Sequence, residues 1–497
     1  MKLNYKRTIF VGFAFFLICA FWQAYDAIVP LILTNHFGLD HFWSGVVMAA
    51  DNVLAVFLLP LFGALSDKVN TKIGKRTPFI IIGTILAVVF FIGLSFADSA
   101  QLPSIMETEM PGQYESLYEE REDLYEEIDK AYAENDNALV EQHKNRLDEI
   151  EVELEDLSSK TFDMTKNNIT PFIWFIALLM MVLLSMAIFR SPAVALMPDV
   201  TVKPLRSKGN AIINLMGTAG GVVVIGLGMV FGTGAANPYM DYRFYILAVA
   251  AVMVVGLVVF LCTVKENKWA KEMEIASLGL EKEEVTEESN HRKLSKGEIF
   301  SLIMILASVA LWYIGYNSVT TKYSVYATRE LGFDFNLPLL IAQVAAIIAY
   351  IPIGMISSKV GRKKAILAGV AMLATAFFCG HFITPIVPEL IMYLIFILAG
   401  VGWATINVNS FPMVVELAKG SDIGKYTGYY YTASMAAQIV APTLSGIFYK
   451  EFGMRNVFFI FATVFVVLSF ITMLFVKHGD SKPEQQDALE ALAGAED

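Results

Sequence analysis

Three ionisable side chains lie inside long apolar stretches of this sequence. Asp26 lies in the first stretch, Asp51 in the second and Arg190 in the fourth. A charged side chain in the hydrocarbon core of a membrane is unfavourable, and it usually faces a cavity where it binds substrate or carries protons. These residues are therefore the first candidates for the chemistry of the protein.

The two carboxylates predict ion coupling. A carboxylate in a low-dielectric site can take up and release a proton, whereas a buried arginine stays charged. Asp26 is our first choice for the proton site and Asp51 the second, with Arg190 as a counter-charge or substrate partner. The same two carboxylates on neighbouring helices would also suit sodium. A static salt bridge with Arg190 would account for these residues without any transport chemistry.

A larger set of neutral and aromatic side chains is predicted to bind the substrate together with Arg190. Amides in apolar helices need hydrogen-bond partners, and aromatic rings stack on the C–H faces of a sugar. The set is Trp22, Gln23, Tyr25, Asn52, Asn214, Tyr313, Asn317, Gln343, Trp403, Asn407 and Gln438. For any single aromatic residue, a place at the membrane interface or in the core is the more common explanation.

The composition indicates a membrane protein. Of the 497 residues, 56% are hydrophobic and 17% are charged, and the mean hydropathy is +0.55. A helix needs about 20 apolar residues to cross a bilayer, and long unbroken runs argue against the alternating strands of a barrel. We therefore predict an all-α polytopic protein with twelve transmembrane helices. The predicted spans are 8–33, 43–66, 78–97, 171–197, 209–232, 242–264, 298–320, 335–357, 364–384, 389–413, 426–448 and 455–476.

Basic residues in the short loops set the expected orientation. They cluster before the first span and at 68–76, 203–208, 265–296 and 359–364, all on one side of a twelve-span protein. By the positive-inside rule this side and both termini are cytoplasmic, and we expect a multi-pass protein of the plasma (cytoplasmic) membrane. The predicted units are a six-helix bundle at 1–264, a cytoplasmic linker at 265–297, a second bundle at 298–476 and a disordered tail at 477–497.

Residues 98–170 form an acidic insertion between the third and fourth spans. The segment 98–166 contains 21 acidic and 6 basic residues, so its net charge is −15. This exceeds in magnitude the net charge of −11 of the whole chain. Leucine and isoleucine recur in it at helical intervals on both sides of a turn at 135–137, which predicts an antiparallel helical hairpin outside the membrane. Partner docking, substrate gating and oligomerisation are open roles for the hairpin, as is that of a dispensable solvated accessory.

Other functional classes find no support in the sequence. Outside the insertion the net charge is small, so a nucleic-acid partner is not expected. We find no nucleotide-binding loop, nucleophile elbow or metal-spaced set of His and Cys, so we expect no enzymatic activity, metal or other cofactor. The three cysteines lie in apolar runs and are expected to pack as small hydrophobic residues. The expected state is a monomer in the lipid bilayer.

A short sequence motif occurs twice, each time where an apolar run ends in a basic turn. It reads Gly-Ala-Leu-Ser-Asp at 63–67 and Gly-Met-Ile-Ser-Ser at 354–358. Each copy continues into a glycine and a basic cluster, at 74–76 and 361–364. The repetition predicts a protein built as two related halves.

These phrases resemble the loop signature between the second and third helices of the major facilitator superfamily and its counterpart in the second half. Within the superfamily, the chain is similar to the sucrose/proton symporters and to the glycoside–pentoside–hexuronide cation symporters. The further matching passages are Gly74-Lys-Arg-Thr-Pro-Phe79, Arg190-Ser-Pro192 to Pro198-Asp199, and Gly424-Lys-Tyr-Thr-Gly428 with Gln438. The resemblance implies a central cavity, rocking of two six-helix halves and uptake of a glycoside driven by a cation.

The resemblance also implies a cytoplasmic gate. In the superfamily the loop aspartate, here Asp67, caps a helix of the other half and holds the cytoplasmic side closed. Ser358 replaces this aspartate in the second copy, so we expect the two sides of the gate to differ, with no acidic latch on the second. The predicted gate residues are Gly63, Asp67, Arg76, Asp199, Gly354, Arg362 and Glu416.

The sequence as a whole favours a secondary active transporter that imports a sugar, a disaccharide or glycoside, in symport with protons by alternating access. Three alternatives stay open at this point. They are a sodium-coupled sugar symporter, a transporter that exports an amphipathic compound, and a non-transporting membrane sensor whose outer hairpin binds a partner.

Overall fold

The computed structural model describes residues 3–39, 41–133, 136–233, 239–281, 294–327, 331, 336–384, 388–418 and 422–480. Apart from one isolated bridge between Thr71 and Gly74, every regular element in this part of the chain is helical. The all-α prediction is therefore confirmed.

The helices of the first half are long, and several carry an internal proline. The first of them ends in a π-helical turn, Ile32–His36. The helices are α1 (Tyr5–Leu31), α2 (His41–Lys68), α3 (Thr77–Ser99), α4 (Leu102–Met106), α5 (Met110–Ala133), α6 (Asn137–Asn167), α7 (Thr170–Asp199), α8 (Arg206–Phe231) and α9 (Arg243–Thr263).

The second half repeats the pattern after a helix that the sequence analysis did not predict in the linker. That linker helix is α10 (Glu266–Glu281), and residues 282–293 of the linker lie outside the described part. The remaining helices are α11 (Lys296–Thr320), α12 (Tyr323–Tyr326), α13 (Asn336–Val360), α14 (Arg362–Gly380), α15 (Glu389–Glu416), α16 (Ile423–Phe452) and α17 (Met454–Leu474).

Among the described residues, 11 helical segments are long and apolar enough to cross a membrane. The predicted span at 426–448 lies in α16, which has 30 residues and is long enough to cross a bilayer at about 1.5 Å per residue. Tyrosines and small polar residues lower its hydropathy below that of its neighbours. The count of twelve spans therefore stays a prediction.

Contacts between the two halves follow a pseudo-two-fold arrangement. The second span of the first half, α2, packs along α16, and the second span of the second half, α13, packs along α8. Each of these pairs joins the second predicted span of one half to the fifth predicted span of the other. Such related halves are the architecture in which transporters alternate access to a central site.

The two halves are in backbone contact near the repeated loops. We call this end of the bundle, with residues 60–76 and 354–364, the gate end. A Cβ atom added to Gly63 would lie 2.1 Å from the carbonyl oxygen of Gly424, and one added to Gly428 would lie 2.3 Å from the Cα atom of Pro60. Only glycine permits this backbone contact. The structure is therefore closed at the gate end.

Helices α5 and α6 pack against each other through a small apolar core that includes Leu124 and Ile150. Arg146 of α6 pairs with Glu120 of α5, at 2.6 Å from Nε to the carboxylate. The base of α6 sits on the end of α1 opposite the gate, where a Cβ atom on Gly38 would meet the backbone at 2.2 Å. That the hairpin lies on the outer face of the membrane stays a prediction.

The beginning of the tail differs from the sequence-based expectation of disorder. His478 Nδ1 lies 2.9 Å from the hydroxyl of Ser301, and Asp480 accepts a hydrogen bond of 2.6 Å from the backbone N–H of Arg362. Residues 477–480 therefore pack against the second half, because their polar groups bind Ser301 of α11 and the first residue of α14. Residues 481–497 lie outside the described part.

Candidate functional site

Asp51 and Arg190 line one small cavity between α1, α2 and α7. Trp22 closes it from α1, and apolar side chains such as Leu54 and Met186 form the remaining wall. Asp26 interacts electrostatically with both Asp51 and Arg190. The structure therefore brings together the three charged residues singled out in the sequence.

Arg190 is held by aromatic rings rather than by a carboxylate. Its guanidinium carbon lies 5.2 Å from the ring centre of Trp22 and 4.9 Å from that of Tyr431 on α16. Within the described residues it makes no ion pair, and its Nε is buried without a hydrogen-bond partner. The alternative of a static salt bridge is therefore not what this structure shows, because two ring faces stabilise the cation instead.

The two carboxylates differ in exposure. Asp51 is half-buried beside Arg190, whereas Asp26 is exposed. The start of α1 contacts the linker helix through Arg7 and Glu272, and the linker helix lies at the gate end. Asp26, near the other end of α1, is therefore far from the gate. From this position Asp26 is the more accessible of the two carboxylates while the gate end is closed.

Several buried polar atoms of the predicted binding residues lack a hydrogen-bond partner in the described part of the chain. Besides Arg190 Nε they are Trp22 Nε1, Tyr25 Oη, Asn52 Oδ1 and Asn214 Nδ2. They come from α1, α2, α7 and α8, and they include both donors and acceptors. Buried polar groups are nearly always paired, so each of these atoms is a candidate to bind a polar ligand.

Aromatic rings dominate the predicted binding residues of the second half. The ring centre of Trp403 lies 6.0 Å from that of Tyr316 and 6.2 Å from that of Tyr350. Tyr313 hydrogen-bonds to Tyr430. This half therefore offers ring faces and hydroxyls rather than charges.

The predicted amides are less uniform in their surroundings. Asn317 donates its amide to the carbonyl of Tyr313 at 2.8 Å in its own helix, and Gln438 contacts the sulfur of Met435 at 3.7 Å. Gln343 is exposed, whereas Gln23 and Asn407 are half-buried. Asn317 and Gln438 thus have local partners, which their sequence positions could not reveal.

The first copy of the repeat joins the halves through a carboxylate. Asp67 accepts hydrogen bonds from the backbone N–H groups of Gly424 at 3.0 Å and Lys425 at 2.9 Å, at the start of α16. Arg76 donates to Asp67 and, at 2.7 Å, to Asp199. A carboxylate at a helix N-terminus is favoured by the unpaired N–H groups and the helix dipole.

The second copy joins the halves through a guanidinium. The hydroxyl of Ser358 donates at 2.8 Å to the carbonyl of Met355 in its own helix. Arg362 instead reaches the other half, where it donates to the hydroxyl of Ser207 at 3.0 Å, and it pairs with Glu416 at 2.8 Å. The two sides do differ in the structure, and the side without the aspartate has a link of its own.

Sequence reasoning missed Glu266, which is buried directly after the sixth span. Its carboxylate accepts hydrogen bonds from the backbone N–H groups of Lys75, Arg76 and Thr77 at 2.7, 2.9 and 2.8 Å. Gly74, with φ of 128°, lies against it and leaves no room for a Cβ atom. In sequence, Glu266 is one of many charged linker residues, and only the fold places it at the start of α3.

A buried pair at the other end of the bundle was also missed. His36, in the π-helical turn after α1, hydrogen-bonds through Nδ1 to the carboxylate of Asp98 at the end of α3. Its ring stacks on Tyr239 at 6.3 Å between ring centres. The two residues are 62 positions apart, and the sequence gives no signal for their contact.

Comparison with known proteins agrees with these features. The family model described as Major Facilitator Superfamily matches residues 162–419 and 339–494, and a model described as MFS/sugar transport protein matches residues 10–103. A relative from Metarhizium rileyi, the MFS-type transporter ppzB, is 25% identical over 123 residues, which is 25% of this chain and 25% of that relative.

Solved structures of the same architecture cover nearly the whole chain. A double-tryptophan mutant of XylE has a TM-score of 0.64 at 14% identity and covers 98% of both chains. FucP, the E. coli fucose:proton symporter, has 0.61 at 10% identity and covers 96% of this chain and 100% of its own. A bacterial homologue of the iron transporter ferroportin has 0.62 at 12% identity and covers 95% and 99%. With its helical halves, its gate and a family model that matches more than half of its length, this chain belongs to the Major Facilitator Superfamily.

Proposed function

We propose that this transporter imports a sugar, a disaccharide or glycoside, in symport with protons by alternating access. The observation that carries the proposal is the set of buried, unpartnered polar atoms on the predicted binding residues, which are Arg190 Nε, Trp22 Nε1, Tyr25 Oη, Asn52 Oδ1 and Asn214 Nδ2. A sugar hydroxyl both donates and accepts hydrogen bonds, so a sugar could satisfy such a mixed set.

The aromatic residues of the second half support the same class of substrate. Tyr316, Tyr350 and Trp403 form one cluster of rings, and ring faces suit the C–H faces of a sugar. The match of residues 10–103 to a family model of sugar transport proteins points in the same direction. XylE and FucP carry xylose and fucose with protons. Their likeness to this chain is one of fold alone, and fold does not determine the substrate. The homologue of an iron transporter has the same fold.

Proton coupling is assigned to Asp26 and, as the second choice, to Asp51. Both carboxylates interact electrostatically with Arg190, so protonation of either one changes the net charge of the site. A site that changes charge when it binds a proton can favour loading on one side of the membrane and release on the other. The exposed Asp26 is the better placed to receive a proton while the gate end is closed.

Alternating access follows from the gate if its basic loops face the cytoplasm. In the described conformation Asp67 and Arg362 join the halves at that end, so the site would open to the outside. Release of the sugar requires these contacts to break and the halves to rock about the central site.

The test is uptake by the purified protein in liposomes, with a panel of radiolabelled sugars and an imposed pH gradient. We expect accumulation against a sugar gradient in the wild type. We expect Asp26→Asn to abolish accumulation while it still exchanges internal for external sugar, because exchange needs no net proton transfer. Asp163→Asn, in the hairpin, is the matched control for expression and folding.

The same liposomes separate the alternatives. Accumulation driven by sodium at fixed pH would show that sodium, and not the proton, is the coupling ion. Proton-driven accumulation that persists in Asp26→Asn would exclude Asp26 as the coupling residue. Expulsion of an amphipathic compound in place of sugar uptake would indicate an exporter. The absence of any solute flux in a correctly folded preparation would favour the sensor.

A further inference from the structure

We infer that Arg190 changes its partner when the gate end opens, from Tyr431 of the second half to Asp51 of its own half. Tyr431 is then a positioning residue that stabilises the closed state, and Asp51 is the counter-ion of Arg190 in the open state. The inference rests on the alternating access of the proposed function, because it names the contacts through which the central site takes part in that movement.

Arg190 and Tyr431 join the two halves through their side chains. Arg190 belongs to α7 of the first half, and Tyr431 belongs to α16 of the second half. The guanidinium carbon lies 4.9 Å from the ring centre of Tyr431, and the guanidinium donates a hydrogen bond to the Tyr431 hydroxyl. Both interactions are stronger in a low-dielectric interior than in water. This pair therefore stabilises the contact between the halves.

The pair lies at the inner end of a row of contacts between α2 and α16. Closer to the gate, a Cβ atom on Gly428 would lie 2.3 Å from the Cα atom of Pro60. One helical turn further in, the hydroxyl of Thr432 donates to the carbonyl of Val56 at 3.1 Å. Tyr431 is the neighbour of Thr432, so separation of α2 from α16 takes Tyr431 away from the guanidinium.

Asp51 stays beside Arg190 when the halves separate. Both residues line one small cavity, and both belong to the first half, so they move together. A buried cation is unfavourable unless it has a partner. When Tyr431 is withdrawn, the carboxylate of this cavity is available to pair with the guanidinium, and arginine and carboxylate form strong charge-assisted hydrogen bonds.

The exchange gives the two carboxylates of the site different roles. Asp51 interacts electrostatically with Arg190 of α7 and with Asp26 and Tyr25 of α1. It must be ionised while the gate end is open, because a neutral acid offers Arg190 no charge. Asp26 is exposed and is not part of the cavity lining, so it is free to take up the proton while Arg190 exchanges partners.

The open population can be measured through a cysteine that the closed gate end buries. Ala211 of α8 is 1% exposed, and a Cβ atom on Gly354 of α13 would lie 2.9 Å from its Cβ atom. In the full chain, with the three native cysteines replaced by alanine, Ala211→Cys should react with a maleimide only when the halves separate. The rate of alkylation in detergent then reports the open population, and the assay needs no sugar and no proton gradient.

Two substitutions should change this rate in opposite directions. Tyr431→Phe keeps the ring and removes the hydroxyl that accepts a hydrogen bond from a charged group, so the rate should rise about 10- to 150-fold. Asp51→Asn removes the counter-ion of the open state, so the rate should fall by at least about tenfold. With Arg190→Gln in the same chain, neither substitution should change the rate by more than about twofold, because the residue that links them is gone.

Tyr429→Phe and Asp163→Asn are the matched controls. Tyr429 lies on the same helix as Tyr431, and its ring contacts Tyr426 and Lys425 of that helix. Asp163 is an exposed residue of the hairpin. Both control variants should react at the rate of the parent protein.

The outcomes separate this inference from the proposed function. If Tyr431→Phe reacts no faster than Tyr429→Phe, the hydroxyl does not hold the closed state and the inference is overturned. It is equally overturned if Asp51→Asn reacts as fast as Asp163→Asn or faster, or if either effect persists with Arg190→Gln. In each of these cases uptake of sugar with protons can still stand.

The reverse outcome is also informative. Opposite effects of Tyr431→Phe and Asp51→Asn in a protein that accumulates no sugar would support the exchange and overturn the proposed substrate. If the cysteine in Ala211→Cys reacts as fast in the folded as in the unfolded protein, the gate end is not closed, and both the inference and alternating access fall.

Discussion

The contact between Gly63 and Gly424 makes the closed state of the gate sensitive to a single methyl group. In Gly63→Ala, the new Cβ atom would lie 2.1 Å from the carbonyl oxygen of Gly424 and 2.8 Å from the hydroxyl of Ser191. The nearest of these atoms belongs to the backbone of α16, so a change of rotamer cannot relieve the clash. Helices α2 and α16 must therefore separate at this point, or the gate must open.

The size of the effect follows from the overlap. The distance of 2.1 Å falls short of ordinary van der Waals contact, which begins at 3.4 Å, by about 1.3 Å. Overpacking of this kind typically costs about 1–3 kcal/mol. Only the state that is closed at the gate end contains the contact, so the equilibrium should shift toward the open state by about 5- to 150-fold.

Distance measurement between spin labels can follow this shift. Labels on cysteines introduced at Lys72 and Lys364, in a background without Cys19, Cys262 and Cys379, would report the separation of the two halves at the gate end. Lys72 and Lys364 are exposed, so labelling leaves the contact intact. We expect Gly63→Ala to increase the population with long distances.

The control is Gly45→Ala, a substitution in the same helix at a position with no other atom within 4 Å. It adds the same methyl group and the same helix propensity without the clash. If the two variants give identical distance distributions, the contact does not hold the gate closed and the reasoning fails.

Two further predictions concern the polar contacts of the gate. Ser207→Ala removes the hydroxyl that Arg362 reaches across the halves at 3.0 Å. Loss of a hydrogen bond to a charged group should destabilise the closed state by about 1.5–3 kcal/mol. The same spin labels would measure this change. Glu266→Gln keeps the shape of a side chain that accepts three backbone N–H bonds but removes its charge at the start of α3, so we expect a lower unfolding temperature in detergent.

Each of these two substitutions has a matched control variant elsewhere in the chain. Ser116→Ala, on an exposed serine of the hairpin, should leave the gate distances unchanged, and a shift as large as that of Ser207→Ala would remove the support for the second link. Glu274→Gln, in the same linker helix but exposed, should leave the unfolding temperature unchanged. A Glu266→Gln variant as stable as Glu274→Gln would show that the cap contributes little.

The sequence predicted the elements better than the contacts. Apolar length locates a membrane helix because the bilayer has a fixed thickness, and this rule placed the spans from 8–33 to 455–476. The rule is weaker where a helix faces a cavity or another helix with polar side chains, as in α16, so the span at 426–448 stays a prediction. The repeat at 63–67 and 354–358 predicted two related halves, because a turn that recurs with its basic cluster reports a repeated supersecondary unit.

The site could be predicted only by residue type. Charges in apolar stretches are rare enough that Asp26, Asp51 and Arg190 stood out, and the structure places them within electrostatic range of one another. Arg190 and Tyr431 are 241 positions apart in the chain, so nothing local indicated that the ring of Tyr431 would lie 4.9 Å from the guanidinium carbon of Arg190. A sequence lists candidate charges, but only the packing decides which of them are left without a counter-ion.

The gate illustrates why a substitution in one copy of a repeat need not remove its function. In each half a carboxylate that follows the last long helix binds the backbone N–H of the gate arginine, Glu266 with Arg76 at 2.9 Å and Asp480 with Arg362 at 2.6 Å. With its backbone fixed in this way, each arginine needs only a partner for its side chain. In the first half that partner is Asp67, which crosses to α16. In the second half, where the aspartate is replaced, Arg362 itself reaches the other half. The pseudo-symmetry is therefore kept in the carboxylates that bind the arginine backbones, and it is broken in the side chains that join the halves.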